Sequence, residues 1–281
     1  MNLFRMKFLQ RNITISSVLF LVGLTCLSNA EAKKKGACIT FKPKKGLQWQ
    51  KRVESLNVSW HYSWSGKLVS TEPEGVEFVP MIWGFWGAND GFKKNIERLS
   101  ASKKKGEFTY LLGFNEPDGK KQANLTVDKA LAAWPHLEKT GLKLGSPGAV
   151  HADHAWMKEF MKKADERNLR VDFVCVHWYG GANVNGFIKR LRHIHKLYGK
   201  PIWITEFAVA DWQAKSLAEN KHSKEKVYKF MKEVLPKLDK LDFVERYSWF
   251  NGSSTSKALG NSALFHDDGS LTKLGELYSK H

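Results

Sequence analysis

Eight candidate strands, at 46–48, 58–62, 78–83, 108–114, 143–146, 171–177, 202–206 and 244–250, recur along the chain, most of them short apolar runs. Such runs, apolar on both faces, are what strands buried inside a parallel sheet need. Between them, 92–102, 127–138, 155–167, 184–197 and 223–238 place apolar residues at helical spacing, and 270–279 adds a last helix. Pro135 should kink or shorten the second of these. The link from Trp64 to Glu77 is polar and carries Pro73 and Gly75, so no helix is expected there. With no internal repeat and no clear linker, the alternation predicts one α/β domain. Its expected form is an irregular (β/α)8 TIM barrel with some helices short or missing.

Two of the runs end on a glutamate. Tyr110-Leu111-Leu112 leads to Asn115-Glu116-Pro117, and Ile202-Trp203-Ile204 leads to Thr205-Glu206-Phe207. Pro117 cannot donate to a strand ladder and should hold Glu116 in an extended backbone. A carboxylate at the end of a buried strand is costly to keep without a task. Two strands that each bring one to the C-terminal mouth of a barrel bring both to the place where barrels do chemistry. Paired carboxylates are the usual machinery of glycoside hydrolysis, one giving a proton and the other acting as nucleophile or base.

A chain of 281 residues that is 42% hydrophobic is long enough for one full core. Its 11 tryptophans are many, and several stand at strand ends, where rings can fill core or stack on sugar faces. The formal charge of +17 can attract an anionic polymer. The lysines are spread over helices and termini, however, and no nucleic-acid motif is present. His151, His154, His193 and His195 lack a zinc-type ligand set, so no metal and no cofactor is expected. Arg5, Lys7 and Arg11 precede an apolar run and then Ala30-Glu31-Ala32, the pattern of a secretory signal peptide over residues 1–32. Residues 33–281 are then the single domain, secreted or periplasmic, beginning with a flexible Lys33-Lys34-Lys35. Cys38 and Cys175 leave two readings open, one disulfide or buried free thiols.

With eight strands counted, Glu116 closes the fourth and Glu206 the seventh. The ordered set Val58-Ser59-Trp60-His61-Tyr62-Ser63-Trp64, Leu112-Gly113-Phe114-Asn115-Glu116-Pro117-Asp118, His177-Trp178-Tyr179-Gly180 and Tyr247-Ser248-Trp249-Phe250 resembles the glycosyl hydrolase catalytic-core family, glycoside hydrolase family 128. The resemblance implies a secreted retaining endo-β-1,3-glucanase, with Glu116 as acid/base and Glu206 as nucleophile. It implies that Asn115 holds the sugar 2-hydroxyl and that His177 or Tyr179 orients Glu206. Trp249 would floor the cleavage subsite, and Trp60, Tyr62, Trp83 and Trp86 would line further ones. The expected partner is a polysaccharide, and the expected state is a monomer without stable membrane insertion. Two alternatives stay open: another β-linked polysaccharide, neutral or acidic, as substrate, or a carbohydrate-binding barrel without catalysis. Retention of both glutamates argues against the second.

Overall fold

The computed structural model describes residues 34–42 and 48–281. The signal peptide expected over 1–32 lies outside them. In chain order the elements are β1 (Lys35–Cys38), α1 (Trp49–Ser55), β2 (Trp60–Tyr62), β3 (Glu77–Phe78), α2 (Asp90–Lys104), β4 (Tyr110–Leu111), α3 (Val127–Glu138) and β5 (Lys143–Leu144). They continue with α4 (Ala155–Glu166), β6 (Val174–Gly180), α5 (Val184–Tyr198), β7 (Ile202–Val209), α6 (Lys224–Asp239), β8 (Val244–Phe250), a 3-10 turn (Gly260–Ser262) and α7 (Lys273–Lys280).

All strand pairings are parallel. Six strands run in the order β3-β2-β1-β8-β7-β6, and β4 pairs with β5. Isolated parallel bridges, Met81 to Leu112 and Gly145 to Phe173, carry the pairing across the two remaining gaps. Each strand therefore lies beside its neighbours in sequence, the arrangement of an eight-stranded α/β barrel. No helix stands between β2 and β3, as the polar Pro- and Gly-bearing link implied.

Three expectations are corrected. The first strand is Lys35–Cys38, not 46–48; residues 46 and 47 lie outside the described residues, and Gln48 caps the start of α1. Lys-Gly-Ala-Cys contains no β-branched or aromatic residue, so its own sequence gives no strand signal. It forms one because β2 and β8 pair with it on both edges. Lys35 is accordingly not part of a flexible terminus. Its residue is 3% exposed and its Nζ donates to the Tyr278 carbonyl at 2.7 Å. Burial lowers its pKa to about 8. Pro135 also does not shorten its helix, which runs to Glu138.

The core has two parts. Outside the barrel, helix faces such as Leu191 and Ile194 of α5 and Phe230, Val234 and Leu238 of α6 pack on Ile202, Ile204 and Phe207 of β7. Inside it, Cys38, Trp60, Tyr62, Met81, Leu112, Phe173, Cys175 and Trp203 form a second cluster. Both cysteines are free and buried, and burial, followed by the Glu206 charge, pushes the Cys38 thiol up to about 12. At the lower end the Arg246 guanidinium lies 4.3 Å from the ring centre of Trp203 and 4.7 Å from that of Tyr110. Its Nη2 donates to Glu77 at 2.5 Å, and its buried Nη1, which has no hydrogen-bond partner, belongs to a cation held over rings.

Gly36 is the point where β1 passes the Trp60 indole, and a Cβ there would overlap the ring. Gly36→Ala is expected to cost about 1–3 kcal/mol, the range for overpacking a tight interior. Thermal unfolding followed by circular dichroism should show a melting temperature several degrees lower.

Candidate active site

The inward face of each strand decides what reaches the mouth. On β6, Cys175, His177 and Tyr179 are two apart and share the barrel side. On β7, simple alternation from the inward Trp203 would turn Thr205 inward and Glu206 toward the helices. The ladder prevents this. Val176 pairs with Ile204 and His177 with Glu206, so one extra residue, Thr205, is absorbed as a bulge. Such a bulge re-aims the side chains that follow it. Glu206 then points inward, among the inward residues of β2 and β6.

Glu206 is 4% exposed and its carboxylate is surrounded by donors. Oε1 accepts from Tyr62 Oη at 3.1 Å and from Trp64 Nε1 at 2.7 Å. Oε2 accepts from the Tyr179 hydroxyl and lies 3.6 Å from His177 Nδ1. Burial first, then the Glu206 charge, raises the pKa of both tyrosines well above the ordinary value, which keeps them as protonated donors. Trp64 reaches Glu206 because its backbone is left-handed, φ 57°, just beyond β2.

Glu116 stands across from it. His177 Nδ1 is 3.0 Å from Glu116 Oε1, and ligand atoms of Glu116, His177 and Glu206 all lie within 4.8 Å of one another. The extended backbone expected before Pro117 is not what is found: Glu116 has φ 41°. Two hydrogen bonds fix this turn, from Glu116 N to the Gly148 carbonyl at 2.8 Å and from Gly119 N to the Glu116 carbonyl at 2.9 Å. A left-handed non-glycine residue is strained, and such strain gathers at sites of function. Asp118 accepts from Val150 N at 2.9 Å and so ties the turn to the histidine-rich loop beyond β5. Asn115 is 4% exposed; its Nδ2 has a long 3.4 Å bond to Gln122 and its Oδ1 has no partner.

The aromatic candidates divide. Tyr62 is at the site but touches the carboxylate instead of forming an outer wall. Trp83 and Trp86 stack, with ring centres 5.8 Å apart, and with Trp64, Met81, Asn89 and Asn95 line a cleft of about 400 Å³. Trp60 and Trp249 are corrected to core. Trp60 is 0% exposed and lies deep in the barrel beside Trp203. Trp249 is one residue out of phase with the inward Arg246 and Phe250, so it faces outward onto Phe207 and Phe230. Its Nε1 donates to the Ser262 carbonyl. Phe250 takes the inward place, against Trp64 and Tyr179. Trp64 and Phe250 are residues that strand patterning missed as site residues. Position i+2 from Tyr62 was the signal for the first.

Glu116, His177 and Glu206 are also the grouping among the described residues with the geometry to hold a metal ion. Three donors already occupy Glu206, and the arrangement serves two free carboxylates equally directly.

Burial by itself would lower the His177 pKa, but Glu206, Glu116 and Asp118 outweigh it and the net direction is upward. A group whose folded pKa is raised contributes stability that is complete below its unfolded pKa of about 6.5 and fades as pH rises through the folded value. The stability lost in His177→Asn is therefore expected to be larger at pH 5.5 than at pH 9. Urea unfolding of both proteins at the two pH values measures the difference.

Comparison with known proteins agrees with this fold. Residues 36–278 match the family described as glycosyl hydrolase catalytic core. Alkali-sensitive linkage protein 1 of Schizosaccharomyces pombe is 31% identical over 256 residues, covering 84% of this chain but 44% of its own length. The chain thus spans less than half of that relative. An endo-β-1,3-glucanase of glycoside hydrolase family 128 from Amycolatopsis mediterranei, in complex with laminaritriose, superposes with a TM-score of 0.73 at 31% identity over 88% of this chain and 99% of that one. A curdlan-specific exo-β-1,3-glucanase of the same family from Blastomyces gilchristii gives 0.68 at 28%, covering 90% and 100%. A barrel of parallel strands with two glutamates at one mouth, matched over nearly its whole length, places this chain in the glycosyl hydrolase catalytic-core family, glycoside hydrolase family 128.

Proposed function

We propose that this chain is a retaining endo-β-1,3-glucanase in which Glu116 is the acid/base and Glu206 the nucleophile. The observation that carries the reading is the separation of the two acids. A carboxylate oxygen of each lies within 4.8 Å of one from the other. Retaining pairs stand about 5–5.5 Å apart, whereas inverting pairs leave about 6.5–9.5 Å for a water.

The surroundings support the division of labour. His177 holds Glu116 Oε1, which leaves Oε2 to carry the proton given to the leaving oxygen. Glu206 Oε1 takes two donors and Oε2 one, so Oε2 has the freer lone pair for attack on the anomeric carbon. The bond from that carbon to the leaving oxygen breaks as the bond to Oε2 forms, giving a glycosyl-enzyme. Water then attacks the same carbon, Glu116 takes its proton, and Glu206 leaves as carboxylate. Tyr62, Trp64 and Tyr179 hold the nucleophile in its attacking position throughout. Asn115 is the side chain assigned to the sugar 2-hydroxyl, and Trp83 and Trp86 offer ring faces to neighbouring sugars.

The reading includes export through the leader, action as a monomer and no stable insertion in a membrane. Among the described residues no helix is long and apolar enough to cross one. The substrate is read as neutral. The site and the cleft beside it are aromatic, and exposed lysines elsewhere are screened beyond about 8 Å at physiological ionic strength.

Three outcomes follow. On a panel of β-linked glucans, the protein should shorten β-1,3-glucan to oligomers of mixed size. Glu206→Gln should abolish turnover by several orders of magnitude while oligosaccharide binding, read by calorimetry, persists. Unchanged turnover in that variant would assign the nucleophile elsewhere. The Michaelis constant on neutral β-1,3-glucan should barely change from low to high salt, and a steep rise would favour an acidic glycan.

A further inference from the structure

Two tryptophans are markedly exposed among the described residues, Trp86 at 73% and Trp212 at 62%. Trp86 belongs to the aromatic cleft beyond β3. Trp212 lies elsewhere, three residues past the end of β7, and nothing in the reading above uses it. Its ring meets Tyr179 edge-on at 5.7 Å, and the Tyr179 hydroxyl donates to Glu206. An indole left in water this close to the reacting pair is apolar surface kept open next to the site.

The ring is presented by a fixed turn. Asp211, 4% exposed, donates its N–H to the Ala258 carbonyl at 3.0 Å. Its carboxylate accepts from Gln213 N at 3.2 Å and Lys221 N at 3.1 Å and pairs with Lys221 Nζ at 3.3 Å. These bonds tie both ends of the 211–221 loop to one buried acid. The loop is ordered before any ligand arrives, so binding there spends little on ordering it.

Position in the barrel gives the ring its meaning. In a ring of eight strands, β3 and β7 stand four apart and therefore on opposite sides. Trp83 and Trp86 follow β3, and Trp212 follows β7. A polymer laid across the mouth over Glu116 and Glu206 meets the Trp83–Trp86 stack on one side and Trp212 on the other.

We propose that Trp212 forms a second sugar-stacking subsite, which binds a glucosyl ring of the same chain at the end of the cleft opposite Trp83 and Trp86. The ligand is a neutral pyranose whose C–H face covers the indole. This rests on the glucanase reading and adds to it the second end of the substrate path, which favours chains long enough to reach both.

The test compares kcat/KM on β-1,3-linked glucose trimers and hexamers for the wild type, Trp212→Ala and Trp212→Phe. Aromatic contacts of this kind contribute about 0.5–1.5 kcal/mol. Trp212→Ala should therefore lower kcat/KM on the hexamer by about two- to twelvefold, with a much smaller loss on the trimer. Trp212→Phe should restore most of the hexamer rate. An equal loss on both oligomers would show that the ring acts only through Tyr179, and an unchanged hexamer rate would remove the subsite outright. Both outcomes overturn the proposal while leaving the glucanase reading intact. A wild-type protein inert on both oligomers would overturn that reading and the subsite with it.

Discussion

A carboxylate sealed inside a barrel sets the terms for everything around it. Glu206 is 4% exposed, and an ionised acid at that depth needs hydrogen bonds to replace its water. Tyr62 from β2, Trp64 from the link beyond it and Tyr179 from β6 supply them. These groups come from far-apart parts of the chain, and only a closed ring of strands brings them to one point. The same requirement explains the Thr205 bulge. Without the extra residue Glu206 would face the apolar helix layer, where no donor waits.

Beneath this site, Arg246 over Trp203 and Tyr110 and its pair with Glu77 close the lower end of the barrel, and Trp60 and Cys175 fill the level between. Mechanical support and chemistry are stacked along one axis. The polar groups of the site rest on tightly packed rings that restrict their movement, which is what a preorganised site needs. His177 links the two acids laterally, 3.0 Å from one and 3.6 Å from the other.

Much of this was legible in the sequence because buried parallel strands announce themselves as apolar runs, and because Glu116 and Glu206 end two of them. What was not legible has physical reasons. β1 carries no strand-forming side chain and exists through its neighbours. Alternation tells which residues share a face, as with His177 and Tyr179, but not which face is the inner one. The resemblance puts Trp249 at the sugar and alternation alone does not exclude it, yet Phe250, one residue on, holds the inward position. Trp60 has the right face at the wrong depth. Trp64 and Glu116 depend on left-handed backbones, and the Pro117 rule pointed to an extended one for Glu116. Tertiary hydrogen bonds to Gly148 and within the turn override that local preference.

The central claim is that Glu206 attacks the sugar directly, with Glu116 as its partner. The stereochemistry of the first product tests it without altering a single residue. Proton magnetic resonance, recorded in the first minutes of β-1,3-glucan hydrolysis and before mutarotation, distinguishes the two anomers of the new reducing end. The account predicts the β-anomer, formed by two successive inversions through a glycosyl-enzyme. First appearance of the α-anomer would mean a single displacement by water, and would contradict it.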